Sequence, residues 1–147
     1  MKRKLVLGIV ASLLLVVVFT GAYIVQASEA MAVEEANKVI VQRSVWECWN
    51  TGNIDVIGEF YAADLVNHDP KYPDIRNGEE FKQWVIGLFT AYDFHVTIMD
   101  LIAEGDMVVK RYTNRITVKA TGEQIPAGGT TIYRLSGGKI VEAWWAR

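Results

Sequence analysis

The hydrophobic period of this chain changes near residue 94, and that change restricts the fold more than any other feature. Before it, apolar residues recur three, four or seven positions apart, the spacing of one helical face. Val33, Ile40, Val41, Val45, Cys48 and Trp49 do so across 29–51. Ile54, Ile57, Phe60 and Tyr61 form a second, shorter stripe. Phe81, Trp84, Val85 and Leu88 form a third, which Tyr92 extends. From Phe94 onward the period is two, with Phe94, Val96 and Ile98 set against His95, Thr97 and Met99. The runs "FHVTIMDLIA", "MVVKRYTNRITVK", "TTIYRLS" and "IVEAWWA" succeed one another across short turns at 104–106, 121–123 and 137–139. Three helices and then an antiparallel meander predict an α+β domain. The helices are expected to cross one face of a strongly bent, mainly antiparallel sheet. A cone of that kind has a pocket at its open end, where small ligands bind.

Local signals place the boundaries. Glu34 and Glu35 stand near the start of the first helix, where the helix dipole favours acids, and Gly52 is a stop signal. Asn53 is a candidate cap for the second helix. Asn77, with Glu80 three residues on, has the pattern of a capping box for the third. Between these helices "LVNH" reads as a short extended segment ended by Pro70, and "DPKYPDIRNG" as a loop.

Residues 1–27 read as an address and 28–147 as the folded domain. Lys2, Arg3 and Lys4 precede an uncharged stretch from Leu5 to Val25. A helix of that length reaches about 30 Å, enough to span a bilayer. The same stretch has the form of a secretory signal, with Val25-Gln26-Ala27 offering a small-residue cleavage pattern. Cleaved signal or retained anchor, the expectation is an extracytoplasmic domain: secreted, periplasmic, or held at the outer face of the cytoplasmic membrane. Membrane contact is then limited to residues 5–25.

Charge and cysteine usage exclude some classes. With Lys2, Arg3 and Lys4 set aside, 12 basic residues face 17 acidic ones. A net acidic domain without a Lys/Arg block lacks the footprint that nucleic acid requires. The single cysteine, Cys48, permits no internal disulfide and reads as a small buried apolar residue on its helix. Two histidines far apart in sequence, with no H-x-H or C-x-x-C spacing, give no support for a metal site. Nor does Cys48 or Ser136 have an evident paired base for nucleophilic chemistry.

Taken in order, "NHDP", "NGEEFKQWV", "FHVTIMDLIAEGDMVVKRYT" and "IYRLSGGKIVEAWW" resemble the SnoaL-like polyketide cyclase family of the NTF2-like superfamily. The resemblance covers about residues 35–147. It implies an NTF2-like cone with a hydrophobic cavity, often a homodimer, and closure of a polyketide ester by aldol chemistry without cofactor or metal. In the cyclases that the chain resembles, an aspartate a few residues past the last-strand tryptophan is the general base. Here Trp145 is followed by Ala146 and Arg147, and no acid occupies that place.

Aldol chemistry needs a base beside the substrate carbonyl and a group that holds the enolate oxygen. His68, Arg111 and Glu142 are the candidates for base, carbonyl orientation and second acid. His68 and Asp69 point to opposite faces of an unbroken strand, so Asp69 is expected in an Asx turn before Pro70. Arg111, on the face of Val109 and Thr113, either orients a carboxylate or carbonyl or pairs with Glu142 or another acid. By alternation Ile140, Glu142 and Trp144 share one face, and His95 points away from the helices. Trp46, Trp49, Trp84, Tyr92 and Trp144 read as core aromatics, with Trp49, Trp84, Tyr92 and Trp144 the candidates for ligand contact. Three functions remain open: a cofactor-free cyclase or isomerase, a binding module for a small apolar or amphipathic molecule, and a dimerising interaction domain.

Overall fold

The computed structural model describes the backbone of residues 2–146 and the side chains of Thr20 and residues 22–146. It divides into two units, Met1–Val33 and Glu34–Arg147. Residues 2–33 of the first belong to helix α1 (Lys2–Arg43). The side chains on which the signal or anchor reading rests, up to Phe19 and at Gly21, lie outside the described residues. Among the described residues, no helix is long and apolar enough to cross a membrane.

In the second unit, α1 runs into a π-helical turn, Ser44–Trp49, closed by Asn50 N–H on the Val45 carbonyl at 2.9 Å. Such a turn widens the helix and rotates the residues beyond it. Val41, Val45, Cys48 and Trp49 consequently all face the core. Trp46, expected in the core, is instead 54% exposed, because the widened turn gives its inward places to Val45, Cys48 and Trp49. Burial pushes the Cys48 thiol up to about 11, so it stays protonated and packs as an apolar group.

The second helix, α2 (Ile57–Phe60), is a single turn that buries Ile57 and Phe60. Asn53 does not cap it; its Oδ1 accepts from Asp55 N–H at 3.1 Å in a turn of its own. Strand β1 (Tyr61–Asn67) begins directly after it. Beyond it Asp69 is buried and accepts from Lys71 N–H at 3.0 Å, the expected Asx turn. Helix α3 (Gly78–Ala91) starts as predicted, with Asn77 Oδ1 accepting from Glu80 N–H at 2.9 Å. The reciprocal bond of a full box is absent, because the Glu80 carboxylate takes Arg76 N–H at 2.6 Å. Gly78 has a steric cause: a Cβ there would sit 2.1 Å from the Ala62 carbonyl oxygen, so only glycine lets α3 begin against β1.

The meander comprises β2 (Tyr92–Glu104), β3 (Met107–Val118), β4 (Gln124–Ser136) and β5 (Lys139–Ala146). Tyr92 thus opens a strand and does not extend α3. The sheet order is β1-β5-β4-β3-β2, with β1 parallel to β5 and every other pairing antiparallel. Gly137 and Gly138, at φ of 56° and 77°, make the tight β4–β5 turn that only positive φ allows at both positions. The free edge of β2 is occupied by Asn50, whose side-chain amide donates to the Val96 carbonyl at 3.0 Å and accepts from Val96 N–H at 2.7 Å. That mimic of a further strand blunts an edge open to aberrant pairing.

The core lies between the helices and the inner sheet face. Phe81 and Val85 of α3 meet Val108, Tyr133, Leu135 and Ile140 there. Each fully buried large apolar side chain contributes about 1.5–3 kcal/mol. One irregularity redirects β5. The β4–β5 register slips between Arg134, opposite Glu142, and Leu135, opposite Ile140. The bulge puts both Ile140 and Ala143 inside, so Ile140 does not share a face with Glu142 and Trp144 as strict alternation predicts.

Candidate functional site

Alternation along β3 sends Val108, Lys110, Tyr112, Asn114 and Ile116 inward, and the last three border a cavity of about 190 Å³. Its other walls are mainly aromatic: Trp49 from the π-helical turn, Tyr72 from the loop, Trp84 from α3, Phe94 from β2 and Trp145 from β5, with aliphatic Leu88 and Ala127 beside them. Gly128 of β4 completes it; a Cβ there would come within 2.9 Å of the Tyr112 carbonyl oxygen.

Trp49 is the hub of these walls. Its ring meets Trp84 at 6.5 Å, Phe89 at 5.7 Å and Phe94 at 5.6 Å, each edge-on. Such edge-to-face pairs suit the aromatic quadrupole and hold one another in place. The indole N–H groups are committed elsewhere: Trp49 Nε1 donates to Tyr61 Oη at 3.1 Å and Trp145 Nε1 to Asn67 Oδ1 at 3.0 Å. What Trp49 and Trp145 offer the cavity is therefore ring surface.

Beneath the cavity lies a buried polar chain. Lys110 is 4% exposed, and its Nζ donates to Tyr133 Oη at 2.9 Å. The same Nζ stands 4.8 Å from the Tyr112 ring centre and 5.2 Å from that of Tyr133. No ion pair joins it to a carboxylate among the described residues. Burial pulls the Lys110 amine below its usual range, with Tyr61 and Tyr112 opposing weakly. Burial also drives the Tyr61 and Tyr133 phenols far above theirs, so both stay protonated at neutral pH. Among the described residues, no group of three or more His, Cys, Asp and Glu side chains could hold a metal ion.

The sequence profile of the SnoaL-like domain matches residues 41–143. The chain belongs to the SnoaL-like family. No curated protein sequence matches it. Among solved structures it resembles a protein of Acidithiobacillus ferrooxidans assigned as a polyketide cyclase. That pair shares 30% identity over 75% of this chain and 86% of the other, with a TM-score of 0.68. An LEH-like epoxide hydrolase of M. tuberculosis matches at 16% identity over 76% of each chain, with a TM-score of 0.65. A SnoaL-like polyketide cyclase of Agrobacterium tumefaciens matches at 14% over 75% of this chain and 89% of that one, at 0.63. The last two likenesses show the NTF2-like fold alone.

In this SnoaL-like domain the candidate site residues of the sequence divide between two faces. Trp49 and Trp84 line the cavity. Tyr92 borders a separate cleft with Asn50, Asp93 and Lys119. His68 and Glu142 do come together, with His68 Nε2 3.0 Å from Glu142 Oε2, but on the outer face. Arg134 joins them, donating from Nη1 to Glu142 Oε1 at 2.8 Å. Trp144 lies there too, stacked on the His68 ring at 4.5 Å and 3°. Arg111 pairs with Asp100, well along the sheet from Glu142. His95 is exposed on that side, as alternation predicts. His68, Arg111, Glu142 and Trp144 are therefore not among the residues that line the cavity.

Sequence pattern alone does not mark Tyr72, Phe94, Tyr112, Asn114 and Trp145 as site residues, nor Lys110. For three of them a signal exists. If Val109, Arg111 and Thr113 face outward, Lys110, Tyr112 and Asn114 must face inward.

Proposed function

We propose that this SnoaL-like domain binds a small, mostly apolar, single-ring molecule between Trp49, Trp84 and Trp145 and does not convert it. The observation that carries this reading is the lining itself. A volume of about 190 Å³ exceeds the roughly 150 Å³ of a dry cavity known to hold benzene, and falls short of the roughly 300–1,000 Å³ of drug-sized sites. A fused polycycle would extend beyond that volume. Among the described residues no carboxylate or imidazole lines the cavity, so a proton beside a carbonyl would meet no base of the usual kind. The Lys110 amine lies behind Tyr112 and outside the lining. Ring surfaces in quantity and few polar groups suit capture better than turnover.

Delivery beyond the cytoplasmic membrane belongs to the same proposal. It is supported by Lys2-Arg3-Lys4 ahead of the uncharged Leu5–Val25 stretch. A capture protein at the cell surface or in an outer compartment has use for such an address.

Toluene is a suitable probe. Titrated into the protein, it should quench tryptophan fluorescence saturably and raise the melting temperature. The rise should correspond to about 1.4 kcal/mol at ten times Kd, with toluene recovered unchanged. No shift up to the solubility limit of toluene, or a converted product from a cyclase or epoxide test substrate, would refute simple capture.

A further inference from the structure

We propose that Asn67 is a positioning residue for the guest: it fastens the loop wall of the cavity to the sheet wall, and so restricts the space to a single, sparsely substituted ring. The inference rests on the binding reading above and adds what sets the size of the guest. Alternation from buried Leu65 turns Asn67 inward at the end of β1, in register with Ala143 of β5. There its Oδ1 accepts from Trp145 Nε1 at 3.0 Å, and its Nδ2 donates to the Tyr72 carbonyl at 3.2 Å. Trp145 and Tyr72 both line the cavity, and Asn67 stands behind them. An indole N–H can only donate and a backbone carbonyl can only accept, so the two partners fix which way round the amide lies.

The two walls are held differently. Trp145 belongs to β5 and meets the Tyr133 ring edge-on at 6.1 Å. Tyr72 belongs to the loop between β1 and α3. Its ring packs against Trp84 at 4.9 Å, and its N–H donates to the Asp69 carbonyl at 3.1 Å. Those contacts tie Tyr72 to α3 and to its own loop, whereas the Asn67 amide ties it to the sheet beside Trp145. Without that tie the loop wall can draw back from Trp145, and the space of about 190 Å³ widens on that side. Walls fixed in place discriminate by size, where one methylene too many is worth about 10–200-fold in affinity. Walls that yield lose that discrimination.

Toluene and mesitylene separate this inference from the binding reading, because both are apolar single rings and mesitylene carries two methyl groups more. Calorimetric titration of the full chain should show toluene bound about tenfold more tightly than mesitylene, or better. In Asn67→Asp the carboxylate still accepts from Trp145 but has no proton to give the Tyr72 carbonyl. Toluene affinity should drop in that variant, and the toluene-to-mesitylene ratio should fall by about tenfold. A residue that only supported the fold would lower the melting temperature and both affinities together, with the ratio kept. If the aspartate variant fails to fold, Asn67→Ala, which loses both bonds, provides the same comparison. A ratio near one in wild type, or equal ratios in wild type and variant with both compounds bound, would overturn the role of Asn67 and leave capture intact. Binding of neither compound to wild type would overturn both.

Discussion

Replacing Trp49 with alanine should cost about 3–5 kcal/mol of folding stability, the usual range for a buried tryptophan. Against a total of about 5–15 kcal/mol for a domain of this kind, that is a large share of the stability. The size of the effect comes from what one indole does here. Its ring is 8% exposed and packs edge-on against Trp84, Phe89 and Phe94, so its loss removes the common support of three other rings. Its N–H is the donor to buried Tyr61 Oη, which alanine would leave short of a partner. Urea unfolding read by circular dichroism would show a lower midpoint at unchanged slope. Trp49→Phe should fall between, keeping ring packing and losing the N–H. A Trp49→Ala midpoint within about 1 kcal/mol of wild type would mean that the aromatic cluster is not what supports the inner face.

Replacing Lys110 with methionine should have the opposite sign. A buried amine with one hydrogen bond, to Tyr133, sits poorly among Tyr61, Tyr112 and Tyr133. An apolar chain of similar length should raise stability at neutral pH by about 1–3 kcal/mol. The pH dependence carries its own signature. The unfolded amine titrates near its ordinary value of 10.5, and the folded one lower. Between those two values the unfolded chain holds a proton that the folded chain does not, so wild-type stability climbs as pH rises through that window. Lys110→Met lacks that climb, and its advantage should shrink as pH rises through that window. Above that the phenols of Tyr61 and Tyr133, raised in the folded state, pull stability down again. Parallel midpoint-against-pH curves for the two proteins would contradict a buried, depressed amine.

Much of this architecture is legible in the residues themselves. The change of period at Phe94 separates helices from meander, because apolar spacing reports which face is buried whatever the tertiary context. The Asn77 cap, the Asx turn at Asp69 and the Gly137-Gly138 turn are local chemistry and need no partner from elsewhere in the chain. The positions that defeat a simple pattern depend on a one-residue change of register. The bulge near Val141 sends Glu142 and Trp144 outward while Ile140 and Ala143 stay inside, and alternation assumes that no such slip occurs. The π-helical turn does the same to Trp46, which a regular helix would turn elsewhere. His68 and Glu142 meet, but the bulge places their meeting on the outer face. Lys110 and Asn114 escape a sequence reading for a different reason. A Lys-Arg pair in a strand reads as a solvated surface, and only the inward parity of β3 shows that one member of the pair is buried.

The central claim is that the space between Trp49, Trp84 and Trp145 is an apolar cavity open to a guest. Crystals pressurised with xenon test it most directly, because xenon enters dry apolar voids without needing any polar contact. Strong xenon density against the Trp49, Phe94 and Trp145 rings is the expected result. Contradiction would be an empty difference map at that position, with the volume filled by the protein's own side chains.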